Sequence, residues 1–111
     1  MLPKKNRLNR EEFDSFLLNK KIESNEICNI AFNFSQNKIK KFSCVVSKKV
    51  SKKAVERNLL KRRVYFFLGI NINKIKEGVS VIVYLKKVSL EISYQELDKL
   101  LIYLLKKVKI M

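Results

Sequence analysis

Histidine is absent from this 111-residue chain, glycine and cysteine each occur twice, and Asp and Glu number 10 against 25 Lys and Arg. Each shortage removes a class of function. Without histidine there is no side chain that titrates near neutrality, and no imidazole to serve as base or metal ligand. With Gly69 and Gly78 alone, no glycine-rich phosphate loop can be built. Cys28 and Cys44 form no CxxC pair and fall short of a zinc site. Both lie in apolar strand-like runs, where small buried hydrophobes are the simpler reading. Ser and Cys nucleophiles lack a base partner. Glu11, Glu12 and Asp14 crowd one helix start and Glu91, Glu96 and Asp98 another, where carboxylates suit the helix dipole better than an acid–base pair. The longest apolar run, Leu100 to Leu105, is far too short to span a bilayer. The opening MLPKKNRLNREE has no apolar signal core, so a cytoplasmic protein without membrane attachment is expected.

What is present is positive charge on a foldable background. Apolar residues make up 47% of the chain, enough for one modest core, so residues 1–111 are expected to form a single domain. A net charge of +15 repels itself unless an anionic partner neutralises it. Nucleic acid is the first candidate and an anionic membrane surface the second. Lysine, asparagine and isoleucine are all abundant, as an AT-rich genome would produce, so the placement of the cations carries more information than their number.

In chain order, Asn9 followed by Glu12 predicts a helix start, with Phe13, Phe16 and Leu17 at helical spacing. Asn19 to Glu26 reads as a polar loop. Ile27 to Phe34 alternates, with Cys28, Ile30, Phe32 and Phe34 on one face and Asn29, Ala31 and Asn33 on the other. Phe42 to Ser47 alternates again, and the two runs predict a hairpin. A helix from Ala54 is expected to stop at Gly69. Val79 to Leu85 is apolar on both faces, a strand covered on both sides. Ser93 with Glu96 forms a capping box. Leu97, Leu100, Leu101, Leu104 and Val108 then make a core-facing helical stripe. The class is α+β, with element order α-β-β-α-β-α in a small two-layer sandwich.

Ser47 to Leu68, SKKVSKKAVERNLLKRRVYFFL, organises the rest. Stepped at helical spacing from Ala54, the residues Arg57, Asn58, Lys61, Arg62 and Tyr65 share one side. Leu60, Val64 and Phe67 form a second stripe and Val55, Leu59 and Phe66 a third. The apolar stripes are expected to be consumed by flanking strands. The polar side offers planar and repeated donors suited to a row of phosphates. A merely solvated charged face is the alternative.

Val45-Val46-Ser47-Lys48-Lys49, a short basic link and Arg57-Asn58-Leu59-Leu60-Lys61-Arg62 resemble the signature of the bacterial ribonuclease P protein family. That family shows a strand ending in Ser/Ala-Lys-Lys and then a helix with an Arg-Asn-x-x-Lys-Arg core. It usually has a third basic residue where Leu59 stands here, often another at Tyr65, and an apolar residue at Arg63. The resemblance implies the ribonuclease P protein or ribosomal-protein-like fold, with a βαβ crossover that is left-handed in the family. It implies a ribonucleoprotein endoribonuclease that removes the 5′ leader of precursor tRNA. The chemistry would come from the catalytic RNA with Mg²⁺ held mainly by that RNA, and the protein would supply no catalytic residue. Two surfaces follow from the resemblance. Lys48, Lys49, Lys52, Lys53, Arg57, Asn58, Lys61 and Arg62 would face the catalytic RNA. Phe13, Leu17, Ile30 and Phe32 would line a cleft for the single-stranded leader. No protein partner is implied. Composition and charge fit a ribosomal or other structural RNA-binding protein equally well; the spacing of the SKK and RNxxKR elements separates the two.

Overall fold

The computed structural model describes residues 2–16, 20–35 and 38–111. Three helices, α1 (Arg10–Phe16), α2 (Ala54–Ile70) and α3 (Tyr94–Lys107), accompany four strands, β1 (Lys21–Ser24), β2 (Cys28–Phe34), β3 (Lys41–Val45) and β4 (Val79–Leu85). The strands form one sheet in the order β1-β2-β4-β3.

The two alternating runs do not form a hairpin. β4 lies between them, antiparallel to β2 and parallel to β3. The reason is burial. β4 is the strand whose both faces are apolar, with Val79, Val81 and Val83 on one side and Ile82 on the other, all buried, so it takes the centre. The expected β3–α2–β4 crossover is present and makes that pair parallel. β1 lies in the stretch expected to be a loop. Ile22 is the single apolar residue of its KIES sequence and is largely exposed, so no hydrophobic pattern announces this edge strand.

The main core lies between the sheet and the pair α2 and α3. Cys28, Ile30, Phe32, Phe42, Cys44 and Val83 meet Leu60, Val64 and Phe67 from α2 and Leu97, Leu101 and Leu104 from α3. Phe34, placed by alternation with that inner set, is about half exposed at the end of β2. On the opposite face Phe16 packs on Ala31 and Ile82, with Leu8, Phe13, Val45 and Tyr84 around them. α1 starts at a reciprocal cap: the Glu12 N–H donates to Asn9 Oδ1 (2.8 Å) and the Asn9 N–H to Glu12 Oε1 (3.0 Å). That donor, helped by Lys41 3.2 Å away, holds the Glu12 carboxyl below its ordinary value, so the cap weakens as pH falls through the acid range. At α3 the Glu96 N–H donates to Ser93 Oγ at 3.1 Å, as its capping box requires.

α2 runs one residue past Gly69. Its end is set by Asn71, whose backbone N–H (3.2 Å) and side-chain Nδ2 (2.9 Å) both donate to the Phe67 carbonyl. The free edge of β3 is closed by two unrelated donors. The Leu8 N–H bonds the Phe42 carbonyl at 2.8 Å, and the Cys44 N–H bonds the Tyr65 hydroxyl at 3.1 Å. An edge left unpaired would invite pairing with another chain.

Burial pushes the Cys28 and Cys44 thiols up to about 12 from an ordinary 9.0. Both stay protonated and inert at neutral pH, and folding stability contributed by the neutral thiols is lost as pH rises past 9. Folded protein is therefore expected to resist iodoacetamide at pH 8 and to label at both sites in denaturant. Rapid labelling of the folded chain would contradict this burial.

Candidate nucleic-acid interface

Between β3 and α2 the chain alternates anchor and display. The Val50 N–H closes a turn on the Ser47 carbonyl at 3.0 Å, and the Val50 side chain is buried. Lys48 and Lys49 on one side of that anchor, and Lys52 and Lys53 on the other, are left in solvent. Ser51 ties the link to the helix. Its hydroxyl donates to Glu56 Oε1 (2.5 Å) and accepts from the Lys53 N–H (3.1 Å), while Arg57 Nη1 donates to its carbonyl (2.9 Å). Ser51 thus does the capping that Lys53 has no side-chain acceptor for, and Glu56 sits where the helix dipole favours a carboxylate.

The sequence-predicted polar set lies on the first turns of α2 and on the link that Ser51 ties to them. Lys52, Lys53, Asn58 and Arg62 are exposed, and Arg57 and Lys61 are half-buried. Among the described residues the ion pairs are Lys41–Glu12, Arg63–Asp98 and Lys107–Glu23, so none of the predicted cations is neutralised within the fold. Arg57 is held in place by the Ser51 carbonyl, which leaves its remaining donors for a partner.

Two further arginines bear on this surface. Arg7, from the segment before α1, lays its guanidinium over the Tyr65 ring at 4.8 Å. Tyr65 stands where a basic residue is common in the resembled family, and Arg7 returns a cation to that position from a distant part of the chain. No local pattern could have revealed it. Arg63 behaves differently. It is paired with Asp98 of α3 and lies 5.3 Å from the Phe66 ring and 5.1 Å from that of Tyr94, so it ties the two helices together. The third stripe of α2 is not consumed by strands. Val55, Leu59 and Phe66 are exposed, because strands and α3 occupy only the side of α2 that carries Leu60, Val64 and Phe67.

The predicted leader cleft needs correction. Ile30 and Phe32 are buried in the main core, under α2 and α3, and offer no side chain to α1. In a strand the next residue faces the other way, so a one-residue shift changes the face. Ala31 and its neighbours Asn29 and Asn33 are the β2 residues on the α1 side, matched by Ile82 and Tyr84 of β4. Leu17 lies outside the described residues. Phe13 is half-buried against the small cluster beneath α1. Two open grooves flank that cluster. One of about 320 Å³ is bordered by Lys20, Ile22, Asn29, Ile30, Ala31 and Tyr84, and one of about 530 Å³ by Glu12, Phe16, Asn33, Ile39, Lys41 and Ser80. Burial raises the Tyr84 hydroxyl above its usual range.

Among the described residues no three acidic, cysteine or histidine side chains gather as a metal cage, and no helix is long and apolar enough to cross a membrane.

A family model described as Ribonuclease P matches residues 2–109. The ribonuclease P protein component of Pseudanabaena sp. (strain PCC 6903) is 33% identical over 113 residues, covering 100% of this chain and 97% of that protein. Among solved structures, the RNase P protein from Thermotoga maritima superposes with a TM-score of 0.82 at 28% identity, covering 91% of this chain and 96% of that one. The Staphylococcus aureus RNase P protein shares the fold, with a TM-score of 0.84 at 19% identity and coverage of 95% and 96%. With its strand, lysine-rich link and Arg57-Asn58 helix assembled on one α+β sheet, this chain belongs to the ribonuclease P protein family.

Proposed function

We propose that this chain is the protein cofactor of ribonuclease P, binding the catalytic RNA and the 5′ leader of precursor tRNA and assisting endonucleolytic removal of that leader. The observation that carries this reading, beside family membership, is the unneutralised cation set from Lys48 to Arg62 on a rigidly capped helix. Phosphates that replace counterions on such a surface gain affinity from ion release, and that gain falls with salt. The grooves beside α1 combine apolar and amide lining with Lys20 at the edge of one and the Lys41–Glu12 pair in the other, and apolar groups edged by cations suit single-stranded nucleic acid.

On this reading the chemistry that Mg²⁺ would supply when bound is activation of water for phosphodiester hydrolysis. Among the described residues no three acidic side chains gather as a cage, and on this reading the RNA would hold the ion. The chain's own part is to bind, orient and neutralise.

Reconstitution tests the reading. The cognate ribonuclease P RNA and a leader-bearing precursor tRNA are mixed at low Mg²⁺, with and without the protein. Restored leader release is expected. RNA binding without any effect on cleavage would leave a structural RNA-binding role in its place. In the same assay, Phe13→Ala should weaken affinity for precursor more than for mature tRNA, by roughly the five- to tenfold of a lost stacking or apolar contact. Equal loss for both would make Phe13 a packing residue only.

A further inference from the structure

The solvent side of α2 carries two parallel tracks of different chemistry. With Ala54 at zero and about 100° per residue, Lys61, Tyr65, Asn58 and Arg62 fall between about −20° and 80°, and Val55, Phe66, Leu59 and Ile70 between about 100° and 160°. The first track holds the cations and the amide, with Arg7 laid over Tyr65. The second is apolar and open: Val55 is 70% exposed, Ile70 60%, Leu59 45% and Phe66 44%. It runs about 22 Å along the helix. Exposed apolar residues in such a row mark a binding surface when they are contiguous.

Charge decides the occupant. A second copy of this chain would bring another +15 to a face already bordered by Arg62, Arg63 and Lys61. An anionic partner that also presents flat apolar groups meets both tracks at once, and RNA with unpaired bases is such a partner. We infer that the outer side of α2 is a two-track RNA surface, on which Val55, Leu59, Phe66 and Ile70 receive unpaired bases or riboses while Asn58, Lys61 and Arg62 hold the adjoining phosphates. This rests on the RNA-binding role proposed above and adds which part of the RNA is held: single-stranded or bulged nucleotides rather than a continuous duplex. Phe66 is the central stacking platform, its ring already faced by the Arg63 guanidinium at 5.3 Å.

The chain contains no tryptophan, so Phe66→Trp places a single fluorescent reporter on the track. Titration with the cognate ribonuclease P RNA is expected to quench that fluorescence and to saturate at a 1:1 ratio. Phe66→Ala should weaken binding about tenfold while leaving the slope of log affinity against log salt unchanged, since no ion is released at a stacking contact. Arg62→Ala should instead lower the slope by about one. If Phe66→Ala binds as wild type and the reporter is silent while Arg62→Ala still weakens, the apolar track is overturned and the RNA-binding role stands. If wild type itself fails to bind the RNA, the proposed function falls and the inference with it. A reporter that responds equally to anionic lipid vesicles, or sedimentation showing a dimer that Phe66→Ala abolishes, would also overturn it by naming a different occupant.

Discussion

Changing Lys48, Lys49, Lys52 and Lys53 together to glutamine is expected to lower affinity for ribonuclease P RNA about a thousandfold near 0.1 M salt, with no loss of folding. Each removed phosphate contact flattens the salt dependence by roughly 0.7–0.9, so the slope should fall by about three. The fold is indifferent because the anchors in this link are Val50 and Ser51, which the variant keeps, and the four side chains lie in solvent without an intramolecular carboxylate. Filter binding across a salt series, with circular dichroism as the folding control, measures both quantities. A variant that binds with an unchanged slope would move the phosphate contacts elsewhere, with Arg57, Lys61 and Arg62 the next set to test.

The largest expected loss of stability from a single change outside the apolar core comes from Asp98→Ala. Arg63 and Asp98 are each only 21% exposed, and the guanidinium is enclosed by Phe66 and Tyr94. Removing the carboxylate strands a mostly buried cation between two aromatic rings, at a cost of about 3 kcal/mol. For a domain of this size that lowers Tm by more than about 10 °C. The companion change Arg63→Met should return most of the loss, because the pair is then replaced by apolar packing instead of being broken. If Asp98→Ala unfolds at the wild-type temperature, the pair is not what joins α2 to α3.

How much of this was legible beforehand depends on whether the signal was local. β4 was bounded at Val79 and Leu85 because a run apolar on both faces has one comfortable place in a sheet. Both capping boxes were legible because they need only residues three apart. The start of α2 at Ala54 and its buried stripe of Leu60, Val64 and Phe67 were legible because helical spacing lies in one continuous stretch. The failures are all non-local or weakly patterned. β1 is polar and exposed, so nothing distinguished it from a loop. Two neighbouring alternating strands suggested a hairpin, and only the competition from β4 for the centre of the sheet decided otherwise. The side chains of Ile30 and Phe32 lie in the main core, and their neighbour Ala31 faces the α1 side, since one step along a strand changes the face. Arg7 over Tyr65 joins the two ends of a long sequence separation, and composition says nothing about it.

The position of β4 has a consequence for the birth of the molecule on the ribosome. In the sheet β2 and β3 share no strand partner except β4, which is the last of the four strands in chain order. Until it emerges, β3 has no strand to pair with and α2 has only a sheet without its centre to pack on, and the N-terminal half can offer little beyond the β1–β2 ribbon, which is marginal alone. Closure of the sheet is thus a late, long-range event rather than a stepwise one, the kind that folds slowly and leaves apolar surface uncovered in the meantime. Through that interval the nascent chain is a flexible polycation, and nearby anions that draw its lysines together would shorten the wait.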